Sequence, residues 1–223
     1  MTLAELIGRY RLSANDRVEP YFVSDADVIR LRNEAQDQAC VRRRLRQETD
    51  DPDICQVPIE AGVAIYNIHP SLFEIEYLAA TIPDDPYRRP ALYIRSTEWL
   101  NEHLPDWRNL EGSPEFAIMN ETSVRLVPRP NLPGVLRMEG YRTAKAPMVN
   151  PDDEPEIHPL QHPHLVDFVE HKAFSIPDTE FFDPQRADAA LERFTDYFGE
   201  LPDSDMRRIT REDLDHAVRG FMS

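Results

Sequence analysis

The hydrophobic period of this chain changes twice, from helical to strand-like and back, and that order restricts the fold more than any single motif does. Near the start, Leu3, Leu6, Ile7 and Tyr10 form one helical stripe within residues 2–12. Ser24 then N-caps a longer helix, with Asp27 three residues on as a capping-box-like partner. Val28, Leu31, Ala35 and Ala39 carry its period, and Leu45 lies near its end.

From Ile54 to about Met148 the period is two. Val63 and Ile65, then Phe73, Ile75 and Tyr77, alternate with polar or smaller residues. Strands are predicted at 91–94, 116–119, 124–127 and 135–141. In the last, Leu136 and Met138 share one face while Arg137 and Glu139 share the other. Ser96 or Thr97 caps a brief helix that stops before Pro105. Proline- and glycine-rich turns near residues 83–86, 112–114 and 130–134 punctuate the strands.

After a polar loop over 149–156 the helical period returns. Leu165, Val166, Phe168, Val169 and Phe174 mark one helix. Asp183 as N-cap and Pro184 at the first helical position open the next, Ala187, Ala190, Leu191, Phe194 and Phe198 form its stripe, and Gly199 closes it. A last short helix is predicted from Thr210 to about Phe221, with Leu214, Val218 and Phe221 in one stripe after an acidic link. The predicted fold class is α+β. A helical bundle is expected from residues 1–50 and 157–223, with an inserted β-rich module over 53–148. An inserted module explains helices at both ends better than two domains in series.

Charge narrows the function. The net charge is −16, which argues against a general nucleic-acid or anionic-membrane binder, because phosphate neutralisation needs clustered cations. The charge is uneven. Residues 1–48 hold nine Arg against eight acids, whereas residues 150–223 hold seven basic groups against eighteen acids. Two cysteines, Cys40 and Cys55, imply no disulfide framework. No apolar run approaches membrane-spanning length and no secretory leader is evident, so synthesis in the cytoplasm is expected.

No Gly-rich phosphate loop, nucleophile elbow or paired metal-ligand motif is present. His158, His162 and His164, with Asp167 and His171 nearby, are metal-ligand types, but Pro159 and Pro163 break them off any common helical face, and no metal is expected. Glu74 with Glu76, and Asp84 with Asp85, fall on a strand and in a turn rather than in a cleft, so no catalytic residue is assigned. Arg42, Arg43, Arg44 and Arg46 are read as an intersubunit salt-bridge patch in preference to a DNA contact. Trp107, after Pro105-Asp106, is read as an exposed docking residue, together with Leu214, Val218 and Phe221.

An ordered set of short motifs resembles one family, the head-to-tail adaptor (connector) proteins of tailed bacteriophages. It runs Asn33-Glu34-Ala35, Ala39-Cys40 and Arg42-Arg43 in the long helix, then Trp107-Arg108, Gly112-x-Pro114, Leu126-x-Pro128-x-Pro130 and Gly140-Tyr141-Arg142. It continues with Pro155-Glu156-Ile157, His162-x-x-Leu165-Val166-x-Phe168, Lys172-Ala173-Phe174, Asp178 with Glu180, Asp183-Pro184, and Phe194 to Gly199. Asn101, where Asp is expected, and the long acidic tail depart from the pattern.

The resemblance implies a structural virion protein without enzymatic activity or cofactor. It implies a homo-oligomeric ring, typically twelvefold, that binds the portal protein above and a tail tube or nozzle protein below. Such a ring lines the channel for genome ejection and touches passing DNA only transiently and without specificity; no membrane is involved. The competing readings are an acidic module, such as a DNA-mimic or anti-defence inhibitor of a basic partner, and a metal enzyme built on the histidines.

Overall fold

Thr2 starts the first helix, α1 (Leu3–Ala14), with a complete capping box: its hydroxyl accepts from the Glu5 amide at 3.3 Å and its amide donates to the Glu5 carboxylate at 3.1 Å. The next free amides, of Leu3 and Ala4, donate to the carbonyls of Asp153 and Pro151. α2 (Asp25–Arg43) begins at Ser24, whose hydroxyl accepts from the Asp27 amide. The expected box is only half formed, because the Asp27 carboxylate accepts a hydrogen bond from the Ser24 hydroxyl instead of from the Ser24 backbone. α2 ends at Arg43, where Arg44 turns left-handed at φ 51° and sends Leu45 back against the core.

The computed structural model describes residues 1–83, 91–177 and 180–202. They are mixed α and β and divide into two units, residues 1–46 with 142–201, and residues 47–141.

The second unit opens with β1 (Gln47–Glu48) and a turn of helix the sequence reading did not foresee, α3 (Pro52–Cys55), capped by Asp51. β2 (Gln56–Ile59), β3 (Ile65–Asn67), β4 (Leu72–Thr81) and β5 (Tyr93–Ile94) follow. Then come α4 (Thr97–His103), capped by Ser96, and β6 (Glu111–Gly112), β7 (Phe116–Met119), β8 (Ser123–Val127), β9 (Arg129–Pro130) and β10 (Gly134–Arg142). One four-stranded sheet has the order β1-β10-β2, with β4 also on β10; a second runs β3-β8-β7-β5; and β6 pairs with β9 in a third, two-stranded sheet.

One apolar cluster draws on both four-stranded sheets, with Leu72, Ile75, Leu78, Ala117, Val124, Leu126, Leu136 and Met138 at its centre. The alternation in β10 is as expected: Leu136 and Met138 are fully buried, and outside them Arg137 bonds Glu139 at 2.8 Å. β3 is set one residue away from the expected phase. Ile65 is 52% exposed and Tyr66 points inward, because its hydroxyl is held by the Val63 carbonyl at 2.8 Å and by the Glu60 backbone. β4 does not alternate strictly. Leu72, Ile75 and Leu78 are buried while Tyr77 is exposed. β10 runs so close to β4 that a Cβ on Gly140 would lie 1.9 Å from the Glu74 carbonyl oxygen.

Back in the first unit, a 3-10 turn over Pro159–His164 leads into α5 (Leu165–Phe174). α6 (Pro184–Phe198) has the expected ends: the Asp183 carboxylate accepts from the Arg186 amide at 3.1 Å, Pro184 opens the helix, and Gly199 sits at φ 88°. Two clusters fill this unit. Tyr10, Val28, Leu31, Val166, Val169 and Phe174 form one; Ala35, Ala39, Leu165, Phe168, Phe194 and Phe198 form the other. Each of the Val, Leu and Phe side chains among them contributes about 1.5–3 kcal/mol by leaving water.

Candidate assembly surfaces

The arginine run at the end of α2 caps a different helix from its own. Arg42 donates to the Thr195 hydroxyl at 3.1 Å and to the Gly199 carbonyl at 2.9 Å. Arg43 donates to the Tyr197 carbonyl at 2.6 Å. The last carbonyls of a helix lack intrahelical donors and carry partial negative charge, so two guanidinium groups there hold the end of α6. Their planes also lie over Phe194 and Tyr197. Arg46 lies 4.0 Å from the Glu156 carboxylate, and Arg44 is exposed at the left-handed cap. The four residues therefore sit at one corner of the helical unit, and Arg42 and Arg43 spend donors inside their own chain.

Asn33, given no role by the motif that contains it, and Gln36 and Asp37, which the sequence did not single out, organise residues 143–157 from α2. The Asn33 side chain donates to the Met148 carbonyl at 3.0 Å and accepts from its amide at 2.8 Å, as a β-partner would. Gln36 accepts from the Glu156 amide at 2.8 Å, and Asp37 from the Ala144 amide at 3.2 Å. Burial pushes the Asp37 carboxyl up. The i, i+3, i+4 spacing of Asn33, Gln36 and Asp37 was the available signal: three short polar side chains on one face of a helix.

The histidines do not converge. His162 is buried, with Nδ1 2.9 Å from the Met1 nitrogen and Nε2 2.9 Å from the Ile157 carbonyl. His164 stacks on Tyr197, and His171 Nδ1 meets the Ala187 carbonyl at 3.0 Å. Among the described residues no three His, Cys, Asp or Glu side chains are grouped to hold an ion. Both cysteines are buried thiols. Burial pushes Cys40 up to about 12 and Cys55 up to about 11, away from thiolate chemistry. Glu76 accepts from the Gln47 amide group at 3.0 Å; Asp84 and Asp85 lie outside the described residues.

Trp107 corrects the sequence expectation. It is 5% exposed and packs with Leu100 and Val127. Its indole donates to Asn101 Oδ1 at 3.0 Å, the same oxygen takes Arg108 at 2.8 Å, and the guanidinium groups of Arg108 and Arg125 lie over the ring. The Pro-Asp pair misled because Asp106 adopts φ 63°, a turn after which the next side chain lies under α4 rather than in solvent. β7 thereby has two apolar faces, Ala117 toward the sheet core and Phe116 with Ile118 toward α4. Leu214, Val218 and Phe221, and the predicted helix from 210 to 221, lie outside the described residues.

The family model of the SU10 adaptor protein matches residues 1–216. The chain belongs to that family of phage head-to-tail adaptors, so the resemblance read from the motifs is borne out. Membership makes it a structural phage protein of the virion that associates with other head and tail components. No curated protein matches the chain. Among the described residues no helix is long and apolar enough to cross a membrane.

Proposed function

We propose that this adaptor-family chain assembles as a homo-oligomeric ring, twelvefold in the simplest case, between portal and tail, and lines the channel through which the genome leaves. The family match over nearly the whole chain carries this reading. The net charge of −16 supports it, because a negative wall repels phosphate and lets DNA slide. In this reading Arg42 and Arg43 hold the end of α6 in place, and Arg44 and Arg46 complete a corner for lateral contact. Trp107 acts from beneath, setting the shape of the surface offered to the tail tube or nozzle. The C-terminal stripe of Leu214, Val218 and Phe221 docks on the portal.

Electron microscopy of the chain co-expressed with its portal protein tests the proposal. Rings of this chain seated on the portal are expected. A chain that stays monomeric and unattached beside assembled portal overturns it.

A further inference from the structure

Two surfaces of the helical unit are unmatched among the described residues and complement each other. The first is the outer face of α6. Asp188, Glu192 and Asp196 stand one turn apart, exposed, with no hydrogen bond or ion pair to any described residue. Like charges at this spacing work against a helix. The arginines of α6 do not relieve them. Arg186 lies over Phe174 and reaches the Ser13 carbonyl, and Arg193 bonds Asp167 and Glu170 at 2.7 Å each. Ala189 lies among the three carboxylates on the same outer face and leaves it low in relief.

The second is an open groove of about 530 Å³ between α1 and the loop after it. Ile7, Gly8 and Leu12 line it from the helix, and Arg17 and Tyr21 from the loop. Gly8 stands in mid-helix, where glycine is unfavourable, yet a Cβ there would meet nothing within 4 Å. No described residue therefore requires a glycine there, and its bare backbone leaves the groove wall open to close approach. Leu12 is 58% and Val18 80% exposed. Arg17, in the groove lining, and Arg9, next to Gly8 on α1 but outside that lining, are exposed and unpaired among the described residues. Nearby acids are mostly engaged, Glu5 in the α1 capping box and Asp16 and Asp25 with Arg11, which leaves Glu19 against two free arginines.

We infer that the α1 groove of one protomer receives the acidic outer face of α6 from a second copy of this chain. Asp188, Glu192 and Asp196 meet Arg9 and Arg17, and Ala189 passes over Gly8. This rests on the ring reading and adds a second lateral contact beside the Arg44 and Arg46 corner. The two surfaces differ, so every protomer offers both, and the contact repeats head to tail until it closes. Opposite charges facing across such a contact fix its register and disfavour other partners.

The test uses the full chain, with portal protein present, and native mass spectrometry. Arg9→Glu with Arg17→Glu forms one variant and Asp188→Arg with Glu192→Arg the other; circular dichroism checks that each is folded. Each alone should lower the assembled fraction at least tenfold. An equimolar mixture should recover it, because the two reversed surfaces match and so do the two unchanged ones. Gly8→Leu should block assembly of an otherwise folded chain. Wild type that assembles while all variants assemble equally overturns this contact and leaves the ring reading standing. Wild type that forms no assembly, even with portal, removes both.

Discussion

Arg142 donates to the Glu156 carboxylate at 2.7 Å from a guanidinium that is only 2% exposed. A charge so far from water is tolerated only with a partner and satisfied donors. Arg142 also reaches the Thr143 carbonyl, and the second Glu156 oxygen accepts from the Lys145 amide at 2.7 Å. The pair ties the residue that ends β10 to the segment that leads into the C-terminal helices.

This pair should make the helical unit acid-sensitive. Burial pushes the Glu156 carboxyl up, but the hydrogen bonds from Arg142 and Lys145 and the charges of Arg142 and Arg46 outweigh it and hold the group below its ordinary value. A carboxylate with a depressed folded pKa contributes stability that is full above its unfolded value, about 4.3, and lost as pH falls through the folded value. Urea midpoints measured from pH 7 down to pH 3 should decline below about pH 4.5. Glu156→Gln should be less stable at neutral pH and show a flatter acid limb. An unchanged limb counts against the pair.

Two glycines should respond in opposite directions to alanine. Gly140→Ala places a Cβ against the Glu74 carbonyl in the centre of a sheet and should cost roughly 4 kcal/mol or prevent folding. Gly8→Ala meets open space in a helix and should stabilise by about 0.5–1 kcal/mol. Thermal melts decide both; a tolerated Gly140→Ala would mean that β4 and β10 are farther apart.

Trp107→Ala should destabilise the β-rich unit by about 3–5 kcal/mol, as expected for a buried aromatic truncated to alanine. Trp107→Phe should cost less and chiefly lose the bond to Asn101. If the alanine variant melts like wild type, the ring is at the surface after all.

Reversing Arg43 with Arg44 to Glu should fray the end of α6 and impair ring assembly while the rest of the helical unit stays folded, because the Tyr197 carbonyl loses its cation and gains a repelled carboxylate. Hydrogen exchange over residues 195–199 and particle counts on portal measure the two effects. Normal exchange with normal rings would leave the arginine corner without a role.

Element ends were largely legible because the signals are local. Ser24, Ser96 and Asp183 cap the helices that follow them, and each needs only an amide three residues on. The inward set of β10 was legible for the same reason, since Leu136 and Met138 are separated by one polar residue. The phase of β3 was not. Ile65 is more apolar than Tyr66, and what turned Tyr66 inward was a hydroxyl bond to a carbonyl three residues away together with its pairing to Val124.

The sequence by itself determined the order of helices and strands, the caps, the acidic balance and the family, because these depend on neighbours along the chain or on composition. The tertiary structure alone decided the partners of charges and rings. It aimed Arg42 and Arg43 at carbonyls more than 150 residues away, buried Trp107 beneath a short helix, and set Gly140 against Glu74. Long flexible side chains reach 6 Å or more in many directions, so which acceptor they find is set by packing and not by their position in the sequence.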